Sequence, residues 1–292
     1  MIIIMKISII SDCAFVGMNI HEVLIERGYN SKYSPRSRGL FDKTLGIFFK
    51  ILASRADIFH VNYALQDAFL VDLLKHLDVL HCHGSDLRWE INKKWSSMIK
   101  HNLQKAKKVL VSTPDILNTA IKYNETSEYI PNPINTDLFK PKQNIKRDSS
   151  ELVFIYANVY NEETKGTETF IRQFNKIKKD NWTLKFIQNI PHKSMPAIYN
   201  LGDVVVGEFK LGILQNVQLE GMACEKPVIS NINKNWYNEE IPTINLGSIS
   251  DLDDENIRKH YGKKGRKYVV NNHERSKIVD RIVPIYDGLL RR

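Results

Sequence analysis

The chain has 292 residues, 42% hydrophobic and 26% charged, enough for two domains of ordinary size, each with its own core. A net charge of +9 favours an anionic partner, but no dense Arg/Lys block is interleaved with aromatics and no zinc-finger or RNP-type pattern occurs, which sets nucleic acid aside. Cys13, Cys82 and Cys224 are scattered without a C-x-x-C pair, as expected for free thiols in a reducing cytoplasm, and no apolar run is long enough to span a bilayer.

Ile2 to Ser11 is a continuous β-branched run, the pattern of a parallel strand buried on both faces, and fits that role better than a signal peptide. A loop containing Gly17 follows, then a helix over Asn19 to Arg27 closed by Gly28. Strand, glycine-bearing loop and helix open a doubly wound unit. The usual G-x-G-x-x-G is absent, so no dinucleotide cofactor is assigned. Lys32 to Arg55 combines Lys32, Arg36, Arg38, Lys43, Lys50 and Arg55 with Leu40, Phe41, Leu45, Ile47, Phe48, Phe49, Ile51 and Leu52. Two readings stay open: a peripheral contact with the inner face of a membrane, or an apolar stripe packed beneath the first sheet.

Ala56 to Val61 reads as a strand, Asp67 to Lys75 as a helix, and Asp78 to His83 as a strand ending in H-C-H-G-S-D-L-R. Strand alternation puts His81 and His83 on one face, and Gly84 permits a sharp exit. No second pair of ligating residues stands at metal spacing, so no metal is assigned. His83 lies at the carboxyl end of its strand, where α/β ligand crevices open. Asp86 and Arg88 are candidates for acceptor hydroxyls, with capping of the next helix the alternative for Asp86. Trp95 to Ala106 is a predicted helix, Lys107 to Ser112 a strand, and Thr113-Pro114-Asp115 starts another helix. The stretch I-P-N-P-I-N-T-D-L-F-K-P follows, and a first domain is expected over 1–141. The charged stretch 142–150 has no apolar period and reads as a linker.

A second domain is expected over 151–275. Glu151 to Ala157 is its first strand, followed by Lys165-Gly166 and a helix over Thr167 to Lys178. Leu184 to Gln188 is a strand, P-H-K-S-M-P-A-I-Y-N a small helix, and Asp203 to Gly207 the strand feeding G-E-F-K-L-G-I-L-Q-N-V-Q-L-E-G-M-A-C-E-K-P-V-I-S. Here a glycine loop leads to a helix expected from about Ile213 to Cys224, whose unpaired N–H groups and dipole suit a phosphate. Glu220, two turns into that helix, has the chemistry to accept hydrogen bonds from ribose hydroxyls; a solvated helix residue is the alternative. Asp251-Leu252-Asp253-Asp254 reads as an N-cap cluster, and residues 276–292 carry a last helix.

Three stretches in order, H-G-S-D, I-P-N-P-I-N-T-D-L-F-K-P and L-E-G-M-A-C-E-K-P-V-I-S, resemble the signatures of retaining GT-B glycosyltransferases of family four (glycosyl transferases group 1). The resemblance implies an α/β fold of two Rossmann-like doubly wound domains facing a cleft, with a C-terminal helix crossing back to the first. It implies metal-independent transfer of a sugar from a UDP- or GDP-linked donor to a hydroxyl of a glycan or lipid-linked glycan, with no further cofactor. By the same resemblance His83 contacts the donor sugar near the reacting centre, Lys165 binds the diphosphate, and Gly17 lies in a loop facing acceptor and donor phosphates. Gly212, Ile213 and Leu214 would line the phosphate mouth, and Glu220 is the second glutamate of the E-x7-E pattern. Gly212 stands where that pattern has its first glutamate, with Glu208 or Lys210 as loop substitutes. Tyr160 replaces an arginine often found before the lysine, and Pro133 replaces a glycine. The departures at Gly212 and Tyr160 keep a non-catalytic nucleotide-sugar-binding subunit open as an alternative, and the Lys32–Arg55 segment keeps open a basic membrane-surface protein.

Overall fold

The computed structural model describes residues 5–35, 45–142 and 151–291; the expected linker beyond residue 142, the start of the first strand at 2–4 and part of the basic segment at 36–44 lie outside the described residues. The chain divides into two compact units, Met1–Pro133 with Arg275–Arg292, and Ile134–Glu274. The first boundary therefore falls earlier than residue 141. Ile134 and Phe139, from the I-P-N-P-I-N-T-D-L-F-K-P stretch, are buried in the second unit's core, and the Ile134 amide donates to the His273 carbonyl at 2.7 Å.

In the first unit, β1 (Lys6–Ile10), β2 (Asn30–Ser34), β3 (Ile58–Asn62), β4 (Val79–Cys82), β5 (Lys108–Val111) and β6 (Glu128–Tyr129) form one parallel sheet in the order β2-β1-β3-β4-β5-β6. Side-chain alternation divides the sheet between two apolar layers. Ile9, Ile58 and Val79 enter one, Ile10, Phe59 and Leu80 the other. The helix Arg275–Leu290 completes the first layer. Its Ile278, Val279, Ile282 and Tyr286 are at most 1% exposed and pack with Ile7, Ile9, Val16 and Ile20. Burial of each such side chain stabilises by about 1.5–3 kcal/mol. Arg275 pairs with Glu22 and Glu26 (2.5 and 2.8 Å) and Arg27 with Asp280 (2.8 Å), which sets this helix against the helix Val16–Glu26.

In the second unit, β7 (Leu152–Tyr156), β8 (Trp182–Phe186), β9 (Val204–Val206), β10 (Val228–Ile229) and β11 (Thr243–Ile244) form a parallel sheet in the order β11-β10-β9-β7-β8. Phe170 and Phe174 of the helix Thr167–Ile177 cover one face. Leu219 and Met222 of the helix Asn216–Ala223, with Val269 of the helix Glu255–Asn272, cover the other. Asp254 caps that last helix, its side chain accepting from the Asn256 amide at 2.7 Å, as the acidic cluster predicts. Among the described residues no helix is long and apolar enough to cross a membrane.

Candidate functional site

In both units the strand order reverses beside the first strand, between β1 and β3 and between β7 and β9. Loops leaving neighbouring strands at such a switch point diverge to opposite faces and open a crevice beyond the carboxyl ends. In the second unit these are the loops after β7 and β9, which carry Lys165 and residues 207–215. They are tied together: the Phe209 amide donates to the Lys165 carbonyl at 2.9 Å, and the Asn158 side-chain amide donates to the Val206 and Gly207 carbonyls at 3.1 and 2.9 Å. The Lys165 ammonium bonds the side-chain oxygen of Gln215, at the entrance of the helix Asn216–Ala223. Chain spacing thus places Lys165 beside this loop as expected.

The loop itself departs from expectation. Its helix begins at Asn216, not Ile213, because Gln215 is the N-cap: it forms a capping box in which the Gln215 amide donates to Gln218 Oε1 at 2.9 Å. The amides assigned to a phosphate mouth already have acceptors. Those of Lys210 and Leu211 donate to Glu208 Oε2 at 2.8 and 2.7 Å, and that of Ile213 to Glu208 Oε1 at 2.9 Å. The Leu214 amide donates to the Tyr237 hydroxyl at 2.7 Å. Glu208 is fully buried, so its carboxylate shapes the loop from within and does not project into the crevice. Burial pushes its carboxyl up, while the three amides and the nearby Lys165 charge pull it back. Lys210 keeps an exposed side chain at the loop tip.

Gly212 occupies a position that excludes a side chain. Its φ is +70°, and a Cβ there would lie 2.9 Å from Asn233 Cβ and 3.0 Å from Asn233 N. A glutamate at this point of the E-x7-E pattern cannot be housed without moving that neighbour. Glu220 is 4% exposed; its Oε1 is 2.7 Å from His192 Nε2, and its Oε2 accepts from the Tyr199 hydroxyl at 3.0 Å. Burial and the Glu220 charge hold the Tyr199 phenol well above its usual range. The solvated alternative for Glu220 is thereby removed, and one oxygen faces a half-buried imidazole at the rim. His192, Tyr199, Gln218 and Tyr237 are site residues that sequence reasoning missed. The Gln215/Gln218 spacing is the one capping signal that could have been read.

In the first unit the switch point gathers Asp12, Gly17, Asn62 and His83. Gly17 lies inside the first turn of the helix Val16–Glu26, not in a loop; its amide donates to Asp12 Oδ1 at 2.8 Å, and a Cβ on it would sit 2.8 Å from Asn62 Nδ2. Non-glycine residues with left-handed φ crowd this crest: Ser11 (61°), Ala14 (52°) and Phe15 (64°) after β1, and Tyr63 (86°) after β3. Such backbone concentrates where a site is shaped. His83 stacks on His81 (ring centroids 4.6 Å apart), with Nε2 3.0 Å from Asn62 Oδ1 and Nδ1 3.1 Å from Ser112 Oγ. Burial, with His60 adding, pushes His83 down to about 3, so it stays neutral.

Two acceptor candidates are corrected. Asp86 is fully buried, and its carboxylate accepts the amides of Gly84, Leu87, Ala64 and His83 (3.0, 3.1, 3.2 and 3.4 Å), stapling the turns after β3 and β4. Arg88 is turned to Asp115 and to Thr113 Oγ1 (3.1 Å), with its guanidinium over Trp89. Neither is presented to a ligand. Among the described residues no group of three His, Cys, Asp or Glu is arranged to hold a metal ion.

Two doubly wound parallel units, with a last helix belonging to the first, define the GT-B fold. The chain is similar over 98% of its length to 99% of a sucrose-phosphate synthase from Thermosynechococcus elongatus, at a TM-score of 0.75 and 15% identity. It is also similar to Anabaena HepE in complex with UDP-glucose (TM-score 0.72, 12% identity, 97% of this chain and 100% of that one). A third likeness is to WaaG, a glycosyltransferase involved in lipopolysaccharide biosynthesis (TM-score 0.64, 10% identity, 97% and 100%). No family model matches the sequence, and no curated protein matches it either.

Proposed function

We propose that the protein is a retaining, metal-independent glycosyltransferase of the family-four type that moves a sugar from a UDP- or GDP-linked donor to a hydroxyl of a glycan or lipid-linked glycan. The observation that carries this reading is the pairing, at one switch point, of the Lys165 ammonium with a capped helix mouth whose next turns hold the buried Glu220. The three free cysteines suit a cytoplasmic setting.

In this reading the donor diphosphate takes the place of the Gln215 side-chain oxygen, which accepts from Lys165 and caps the helix. Those are the donors an anionic oxygen requires. As the glycosidic C–O bond lengthens, negative charge grows on the departing phosphate, and a fixed ammonium stabilises that state more than the ground state. The departing phosphate oxygen then takes the acceptor's proton. Glu220, oriented by Tyr199, receives the ribose hydroxyls, with His192 giving way or joining them. His83 is neutral, and a sugar hydroxyl would reach its ring nitrogens by displacing Asn62 or Ser112. The amides of Ile213 and Leu214, having acceptors of their own, leave Lys165 the main anchor.

A non-catalytic nucleotide-sugar-binding subunit is the second reading, favoured by Gly212 at the glutamate position and Tyr160 in place of an arginine. A calorimetric panel of UDP- and GDP-sugars, followed by product analysis with glycan and lipid-linked acceptors in the presence of EDTA, separates the two. Binding with transfer supports the enzyme, and binding without transfer the subunit. Absence of binding overturns both. Lys165→Ala should cost transfer about 2.7–4 kcal/mol in barrier while leaving the fold intact.

A further inference from the structure

At the edge of the first sheet opposite the carboxyl-end crest, the amino ends of β1 and β2 and the chain entering β3 frame a cavity of about 300 Å3 whose lining includes Lys6, Asn30, Lys32, Ser54 and Arg55. Ligand crevices of doubly wound sheets open at the other edge, so this cavity has no part in the donor reading. The side chains of Lys6, Lys32 and Arg55 are exposed and have no carboxylate partner among the described residues. The adjacent Asp57 is turned to the Lys6 backbone amide at 2.8 Å. Three cations with hydroxyl and amide donors between them suit an anion of several oxygens, such as a phosphate.

Continuous with Ser54 and Arg55 is the short helix Ile47–Ala53, which is apolar on two sides. Ile47 and Ile51 are buried in the core. Leu45, Phe49 and Leu52, at i, i+4 and i+7, are 50, 57 and 49% exposed. Phe48 supports Phe49 edge-on at 5.5 Å, and the exposed Lys50 adds a further cation without any acid on the helix. One side of the stripe thus packs under the sheet, and the other faces out.

An outward apolar stripe beside unpaired cations has one natural complement. Duplex nucleic acid would satisfy the cations and leave Phe49 and Leu52 in water. A wholly apolar partner would bury the stripe and strand the charges. A bilayer of anionic phospholipid takes both: apolar side chains enter the acyl boundary while a headgroup phosphate meets the cations. We propose that residues 45–55, with Lys6 and Lys32, form a docking surface for anionic phospholipid, the headgroup phosphate seating in the cavity.

The test is cosedimentation of the full chain with vesicles of phosphatidylcholine alone or mixed with phosphatidylglycerol. Wild type should pellet with the mixed vesicles and scarcely with the neutral ones. Lys32→Glu/Arg55→Glu should weaken that partition by about tenfold or more. Phe49→Ala/Leu52→Ala should weaken it several-fold, with its residual binding abolished by salt. All four positions are exposed, so circular dichroism melts should match wild type. Equal pelleting with both compositions, no pelleting at all, or full binding by the charge-reversed variant would each overturn the proposal. So would capture by duplex DNA that the Phe49→Ala/Leu52→Ala variant leaves unchanged.

Discussion

Replacing Glu208 with glutamine changes a single atom type in the loop ahead of the helix Asn216–Ala223, and its effect can be worked from the hydrogen bonds. Oε2 of the fully buried carboxylate accepts from Lys210 and Leu211 (2.8 and 2.7 Å) and Oε1 from Ile213 (2.9 Å). Glutamine has one oxygen and one NH2. With its oxygen toward Lys210 and Leu211 it opposes the Ile213 amide with another donor; reversed, it strands two amides. At least one buried N–H loses its acceptor, at about 1–3 kcal/mol, and the surviving bonds fall from charge-assisted to neutral strength. Relief of the buried charge offsets part of this, leaving a net loss of about 2–4 kcal/mol. Urea unfolding followed by tryptophan fluorescence, with calorimetry of UDP and GDP, reads both consequences. The unfolding midpoint and nucleotide affinity should fall together. An unchanged midpoint would refute the reasoning, and an unchanged midpoint with lost affinity would return Glu208 to direct ligand contact.

Gln215→Ala should tighten nucleotide diphosphate binding by removing the oxygen that the diphosphate would replace at Lys165, at a small cost in helix capping; weaker binding in calorimetry would show that the glutamine assists the ligand. Glu220→Gln should lower nucleotide affinity by about tenfold or more, and Tyr199→Phe less, since the tyrosine only orients the carboxylate; equal affinities in all three proteins would remove Glu220 from the site. Acid should destabilise the first unit. Burial holds His60 down at about 3 and His81 well below the usual 6.5, so below about pH 6.5 the unfolded chain takes protons that the folded unit refuses. His60 withdraws about 2 kcal/mol between about pH 6.5 and about pH 5, and His81 acts in the same direction. The carboxyls of the half-buried Asp12 and the buried Asp86, both raised by desolvation, act with the opposite sign and nearer their usual 3.8. Urea midpoints that stay level across that interval would count against the neutral histidine pair.

Central strands are legible in the sequence because burial on both faces favours apolar runs such as L-V-F-I-Y in β7 and I-S-I-I in β1, which only Ser8 interrupts. β2, N-S-K-Y-S, is an edge strand with mixed burial and so carries no apolar period; β11 has only Thr243 and Ile244. The neighbourhood of Lys165 is legible from order and spacing, because a switch point brings the loops after the first and third strands together whatever their side chains. The direction in which a polar side chain turns is not. Glu208 and Asp86 look like ligand-facing acids in a glycine loop, yet both turn inward to satisfy backbone amides, and Arg88 turns to Asp115. A one-dimensional pattern cannot distinguish an acid that binds a ligand from one that replaces missing backbone acceptors. The start of the helix at Asn216 is legible only through the Gln215/Gln218 spacing, because the acceptors that hold Ile213 and Leu214 out of the helix, Glu208 and Tyr237, are set by the fold.

The helix Arg275–Leu290 also bears on how the molecule is made. Tyr286, fully buried, places its hydroxyl 2.6 Å from His60 Nδ1, and with Ile278, Val279 and Ile282 it completes the apolar layer that Val16, Ile20, Val23 and Leu24 only partly cover. During synthesis that layer has only the helix Val16–Glu26 to cover it, and the remainder stays open to water until residues 275–290 have been translated. Ile134–Glu274, continuous in the chain, can finish first. The unit that holds β1 is thus the last to mature, and a nascent chain stalled before Tyr286 presents β1 and β3 to chaperones as an unfinished surface.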